Sequence, residues 1–238
     1  MRQMKTKYKK IILKLSGESL GGAGGCLDIG AVDGIISEII PVLKKGVSVG
    51  IVIGGGNIWR GARDGARIDR TAADYIGMTA TLINAMLLCE RFKAAKIPAR
   101  VLSSFSAGNF VEQFTLDKIR GAWARGEVIV FAGGTGRPHF TTDTGAALFA
   151  IETGAEAIFK ATDVDGVYDD DPDENSKAKL LPRVSFDEAI TRNLKVMDVA
   201  AFSLCRRYGI NIVVFNFKKH GNISKAVSGE PVGSLVHP

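Results

Sequence analysis

The 238-residue sequence predicts a three-layer α/β/α fold around a central, mostly parallel open sheet. Three observations lead there. Strand-like and helix-like stretches alternate; the strand-like runs are rich in Val, Ile and Phe, as strands covered on both faces are. Three of those runs also end in a glycine-rich turn loaded with small polar residues.

The first strand is expected at 10–15, an apolar run that ends at Ser16-Gly17-Glu18. A helix-like stretch follows at 30–45, where Pro41, lacking an N–H, should kink or interrupt it. The strand at 47–53 ends in Gly54-Gly55-Gly56-Asn57. The helix at 71–96 places Ala72, Tyr75, Ile76, Thr79, Leu82, Ile83, Met86 and Leu87 near helical spacing, and Pro98 marks its end. Strands at 99–102, 127–132, 156–160 and 211–216 alternate with helices at 114–125, 143–153 and 197–208. The strand at 127–132 ends in Gly133-Gly134-Thr135-Gly136, the third such turn. Residues 163–181 differ: with Asp163, Asp165, Asp169, Asp170, Asp171, Asp173 and Glu174 and little periodicity, they read as an acidic surface excursion, a hairpin or lid. With no repeat and no low-complexity linker, residues 1–238 read as a single domain.

Composition narrows the function. Hydrophobic residues at 46% and charged residues at 24% are those of an ordinary globular protein. No apolar run approaches the roughly 18 residues needed to span a bilayer. The basic residues 1–9 lead into a strand rather than an apolar signal region, so the expected location is cytoplasmic. Cys26, Cys89 and Cys205 are far apart and odd in number, and His139, His220 and His237 form no ligand spacing with them. No protein-built metal site is expected, and the acidic run fails the EF-hand spacing. The net charge of +6, partly from Arg2, Lys5, Lys7, Lys9 and Lys10, suits an anionic ligand and also suits nucleic acid. No recognition-helix, RNA-binding or zinc-finger signature strengthens the second reading, and a solvated basic arm accounts for the leader.

Glycine lets backbone N–H groups approach an anion, and a following helix adds the positive end of its dipole. One such turn is common; three imply a crevice that holds several phosphates. No Gly-Lys dipeptide occurs, which excludes the Gly-x4-Gly-Lys-Ser/Thr phosphate loop, and no Gly-x-Gly-x-x-Gly follows the first strand.

The strings KLSGES (14–19), VIGGGNIWRG (52–61), AGGTGRPHFTTDTGA (132–146), FKATDVDGVYDDDP (159–172) and LKVMDVAAF (194–202) resemble the bacterial uridylate kinases of the amino acid kinase superfamily. The resemblance runs in order from about residue 8 to the C-terminus, and the middle string separates uridylate kinases from sister kinases of small carboxylates. It implies the amino acid kinase fold and ATP-dependent phosphorylation of UMP to UDP, with Mg²⁺ accompanying ATP. It also implies a homohexamer and inhibition by UTP. Phosphoryl transfer relies on positioning and electrostatic stabilisation, so lysines and backbone N–H groups are the tools to look for.

Residue by residue, the resemblance places Lys14, Leu15, Ser16 and Gly17 on ATP phosphates, with the Lys14 ammonium on the transferring group. Gly55 would approach the UMP phosphate, while Gly56 and Arg60 serve ATP. Arg63, Arg67 and Arg70 read as surface charge. Asp74 would contact UMP at its ribose hydroxyls, besides capping the long helix. Thr135, Gly136, Arg137, Pro138, His139, Phe140, Thr141 and Thr142 would bind UMP, Phe140 offering an apolar face to the pyrimidine. Asp143 caps the next helix, touches the acceptor, or does both. Thr162, Tyr168 and Asp171 fall at the ATP base and ribose. Lys160 and Asp198 are catalytic candidates, Asp198 orienting Lys14 and Lys160 by ion pairing; buried structural pairing is the alternative. The shortened loop 20–28 and Glu127 depart from relatives that answer to GTP, while Arg100 stands where an effector phosphate would bind. Two rivals remain: a kinase of the same fold acting on a carboxylate, carbamate or isoprenoid phosphate, and a nucleotide-sensing regulator that binds nucleic acid.

Overall fold

A computed structural model describes residues 6–22, 25–60 and 68–238; Arg63, Arg67 and the leader residues Arg2 and Lys5 lie outside that range. Strand β1 (Lys10–Leu15) is the middle of the sheet. It pairs in parallel with β2 (Ser48–Ile53) on one side and β6 (Ala157–Thr162) on the other. Outward from β2 come β5 (Val128–Ala132), β3 (Ala99–Ser103) and the two-residue β4 (Glu112–Gln113), all parallel. Outward from β6 come β8 (Asn211–Asn216), then β9 (Ser234–His237) and β7 (Arg183–Ser185). Only the β8–β9 pairing is antiparallel among the described strands.

Period-two alternation divides β1 between two cores. Ile11, Leu13 and Leu15 point to one face, where they meet Ile36 and Ile39 of α1 (Ile29–Lys44) and Leu88 and Phe92 of α2 (Arg70–Ala94). Ile12 points to the other, against Ile119 of α3 (Leu116–Ala124), Phe149 of α4 (Thr142–Thr153) and Phe202 of α6 (Val199–Tyr208). Phe186 of α5 (Phe186–Thr191) joins the second core, and Ile223 of α7 (Asn222–Ser228) joins the first. The Phe131 and Phe149 rings stack with centroids 4.0 Å apart, fastening α4 to β5. These three layers match the fold class expected from the sequence.

Several expectations need correction. Helix α1 runs unbroken through Pro41, which lies in its last turn on the solvent side. The carbonyl of Ser37 that Pro41 leaves without an N–H belongs to an exposed residue, where water can replace the missing donor. Asp69, not Asp74, caps α2 by accepting from the Ala72 N–H. Helix α2, 25 residues long, is also long and apolar enough to cross a membrane. Half of its apolar window is buried within this chain, as in a core helix. The short elements β4, β7, β9, α5 and α7 add to those the sequence suggested. The acidic excursion is hairpin-like: Tyr168 bridges Leu180 in antiparallel fashion, and the Leu181 N–H donates to the Val167 carbonyl at 2.8 Å.

Gly50 of β2 sits at a tight point of the sheet. Any Cβ there would lie 2.8 Å from Ile12 Cδ1 and 2.8 Å from Phe131 Cε2. Because Phe131 is also stacked on Phe149, it has little room to retreat. Gly50→Val should therefore destabilise the fold by about 1–3 kcal/mol or more, read from chemical denaturation.

Candidate active site

The parallel strands present their carboxyl ends to one rim, and the three glycine-rich turns meet there. The turns after β1 and β2 are in contact: the Gly54 N–H donates to the Leu15 carbonyl at 3.1 Å. A Cβ on Gly17 would lie 2.6 Å from the Gly54 carbonyl oxygen, so this approach admits only glycine. Gly17 opens a short 3₁₀ turn, Gly17–Leu20, and Ser16 caps it by accepting from the Glu18 N–H.

Parallel register sets Lys14 of β1 beside Lys160 of β6. Both side chains are largely buried, and one carboxylate serves both. Lys14 Nζ lies 2.8 Å from Asp143 Oδ1, and Lys160 Nζ lies 2.8 Å from Asp143 Oδ2. Lys160 also donates to the Val196 carbonyl at 2.5 Å. Burial alone would push the Asp143 carboxyl upward, but the Lys14 and Lys160 charges outweigh it and hold the group below its ordinary range. Burial lowers the Lys160 ammonium from its usual value, and the neighbouring Lys14 charge adds to this against the pull of Asp143.

Asp143 does not cap α4. Thr141 does, its Oγ1 accepting from the Asp143 N–H at 3.0 Å and the Thr144 N–H at 3.4 Å. The resulting placement of Asp143 in the first turn of α4 aims its carboxylate at the lysines. Asp198 is likewise not their ion-pair partner. It receives the Thr141 hydroxyl in a short hydrogen bond and the Thr144 hydroxyl at 3.0 Å, and it caps α6 by accepting from the Ala201 N–H. Its charge reaches Lys160 from further away. Burial, aided by the Asp143 and Asp198 charges, pushes the nearby Cys205 thiol up to about 12, which makes it inert.

Three cavities hold the candidate site residues, and the first is lined by the paired lysines. One of about 550 Å³ is lined by Lys14, Ser16, Lys160, Thr162 and Lys218. A second, about 150 Å³, lies between Gly55, Gly56, Trp59, Asp74, Phe140 and Thr142, with Arg137 and Thr141 also on its wall. The third, about 410 Å³, lies under the acidic excursion and holds Tyr168, Asp171 and Lys195. Arg60 forms an ion pair with Glu18 beside the first cavity. Asp74 Oδ2 accepts from the His139 N–H at 2.8 Å, and Arg70 approaches the other oxygen at 3.1 Å. Thr135 Oγ1 donates to the Arg137 carbonyl and accepts from its N–H, shaping the loop that carries Gly136 and Pro138. The Arg100 guanidinium is bracketed by Glu127 at 2.9 Å and Glu112 at 2.7 Å. Among the described residues, no group of three His, Cys, Asp or Glu side chains is arranged to hold a metal ion.

Sequence reasoning missed the central part of Asp143, the paired threonine hydroxyls on Asp198, the wall supplied by Trp59, and two buried polar residues of α2, Thr81 and Asn84. The last two carried a signal, since polar residues three apart on an apolar helix face are unusual.

The profile of the amino acid kinase family matches residues 9–216. The chain belongs to that family. Among solved structures, this amino acid kinase family member is similar to the UMP kinase of Bacillus anthracis, with a TM-score of 0.93 and 35% identity over 97% of this chain and 96% of that one. It is similar to the UMP kinase of Ureaplasma parvum, with a TM-score of 0.92 and 35% identity over 98% and 100% of the two chains. The uridylate kinase of Archaeoglobus fulgidus follows at 0.72 and 30% identity, covering 95% and 99%.

Asp143→Asn should leave two ammonium groups facing each other without a buried counterion, a change that destabilises by about 3–5 kcal/mol. The effect depends on pH in a defined direction. A carboxyl whose folded value is depressed stabilises the fold above its unfolded value of about 3.9, and loses that contribution as pH falls through the folded one. The stability gap between wild type and Asp143→Asn should hold from neutrality to about pH 4 and narrow below it, as read from denaturation across the acid range.

Proposed function

We propose that this kinase-family chain transfers the γ-phosphoryl group of ATP to UMP, giving ADP and UDP for pyrimidine nucleotide synthesis. The observation that carries this reading is the Asp143-bridged lysine pair on the wall of one cavity, with a second cavity at the same rim walled by Arg137, Phe140, Thr141 and Thr142. Similarity to two UMP kinases over nearly the full length of each chain supports it.

In this reading ATP lies across Ser16, Gly17 and Lys14 with its γ-phosphate between the lysines, and Gly56 and Arg60 contribute from the second turn. Thr162, Tyr168 and Asp171 take its ribose and base. UMP occupies the smaller cavity, its phosphate at Gly55, its ribose at Asp74, and its base against Phe140 and the 135–142 loop, with Arg137 and His139 at the rim. The acceptor is a phosphate oxygen that is already ionised at neutral pH, so direct in-line transfer requires no general base. Asp143 accordingly acts as a counterion that holds both ammonium groups in place. Lys14 and Lys160 offset charge on the transferring oxygens, a preorganised electrostatic contribution. Mg²⁺ arriving with the nucleotide would supply charge neutralisation on its phosphate oxygens.

The same reading includes UTP as a feedback inhibitor, a cytoplasmic setting and a homohexamer. The exposed side chains Tyr75, Ile76, Ile83 and Met86 on the outer face of α2 favour self-association.

ADP release should be measured with ATP and Mg²⁺ across UMP, CMP, dUMP, AMP, acetylglutamate and aspartate. Turnover confined largely to UMP is the expected result, and Lys14→Ala should reduce it by on the order of 10²–10³. Turnover with a carboxylate and none with UMP would overturn the acceptor assignment.

A further inference from the structure

Helix α2 contributes two buried polar side chains to an otherwise apolar inner face, Thr81 at 2% exposure and Asn84 at 0%. They stand three residues apart, so they project from the same side of the helix. Each is bonded to a glycine-rich turn. The Gly133 N–H, in the turn after β5, donates to Thr81 Oγ1 at 2.7 Å. Thr81 sends its own proton to the Met78 carbonyl at 2.6 Å, which leaves a lone pair aimed at Gly133. The Asn84 carboxamide donates to the Gly54 carbonyl at 2.7 Å, in the turn after β2.

Asn84 also exchanges a reciprocal pair of hydrogen bonds with Asn57, at 2.8 and 3.0 Å. Asn57 in turn donates to the Cys26 carbonyl at 2.7 Å. Its Oδ1 packs so closely on Gly17, in the turn after β1, that a Cβ there would lie 2.6 Å away. All three turns are therefore tied to one short stretch of one helix. Simple core packing does not explain this, because an apolar pair would fill the space without the desolvation of two polar groups.

We propose that Thr81 and Asn84 are positioning residues that fix the spacing between the turns holding the phosphoryl donor and the turn holding the acceptor. The proposal rests on the UMP kinase reading and adds to it the part that sets the distance between the two phosphates. Neither residue lines the junction of the lysines; Thr81, 2% exposed, touches the wall of the smaller cavity, and both residues act through the backbone of Gly54 and Gly133. Such residues should govern the rate of transfer more than the affinity of either nucleotide, since each turn keeps its own donors and only the relation between turns is lost.

The experiment compares Thr81→Val, Thr81→Ser, Asn84→Leu and Asn84→Asp with wild type in ATP–UMP turnover. Alongside it, calorimetry follows the binding of UMP alone and of a non-hydrolysable ATP analogue alone. Leu88→Ala, a core truncation on the same helix away from the turns, serves as the control for general destabilisation. Thr81→Val should lower kcat by on the order of 10²-fold, with the affinity for the ATP analogue unchanged and that for UMP altered far less than kcat. Thr81→Ser, which keeps the hydroxyl, should recover most of that loss. Asn84→Asp keeps the acceptor and loses the donor to Gly54, so it should fall between wild type and Asn84→Leu. Leu88→Ala should lower Tm and leave kcat near wild type at a temperature where it is folded.

Wild-type kcat in folded Thr81→Val, or an equal loss in Thr81→Ser and Leu88→Ala, would overturn the proposal. If Asn84→Leu does not fold, Asn84→Asp and the Thr81 pair decide the matter. A wild-type protein that is idle with UMP would overturn the function reading, and with it this inference, a result distinct from active wild type with unaffected variants.

Discussion

Two ammonium groups can share the rim of one crevice only if something between them carries negative charge. Lys14 and Lys160 are brought side by side by parallel pairing of β1 and β6, and their mutual repulsion in a largely buried setting is severe. Asp143 resolves it with one oxygen for each lysine. Around that triad the other demands fall into order. Thr141 must end its strand-to-helix turn so that Asp143 enters the first turn of α4, and Asp198 must hold the Thr141 and Thr144 hydroxyls. The site is thus a nest of charges of alternating sign, positive, negative and positive, followed by hydroxyls and a further carboxylate.

That alternation explains why no single residue there has an isolated part. A carboxylate that offsets two ammonium groups still leaves one net positive charge, and polyphosphate is the kind of ligand such a centre attracts. A second network of shared carboxylates lies at the edge formed by β3, β4 and β5. There Glu112 and Glu127 bracket Arg100, and Arg125 and Lys118 complete a local network in which two carboxylates are shared among three cations.

What the sequence revealed, and what it hid, follows from how local each signal was. Apolar strands that end in Gly-Gly-Gly or Gly-Gly-Thr-Gly are local patterns, and both the parallel sheet and the rim of turns were legible from them. The roles of Asp143 and Asp198 were not, because they depend on register between β1 and β6 and on which threonine caps α4. An aspartate two residues into a helix looks the same whether it caps or faces two lysines. Asp69 and Asp74 show the same ambiguity, with either able to cap α2 until the start of the helix is known. The short strands β4, β7 and β9, two to four residues each, carry too little period to be read at all. Pro41 misled for a different reason: a missing N–H breaks a helix only where nothing else satisfies the carbonyl it leaves behind.

The reversed direction of β9 has a practical consequence for anyone who must attach this protein to something else. β9 runs against β8, with Val236 beside Ile212, so its last residues descend toward the end of the sheet where Lys10 begins β1. Both of those strand ends therefore lie opposite the crevice. A tether, a fluorophore or a fused partner joined beyond Lys10 or His237 would hang below the sheet. On a sensor surface the protein would stand with its crevice facing the solution.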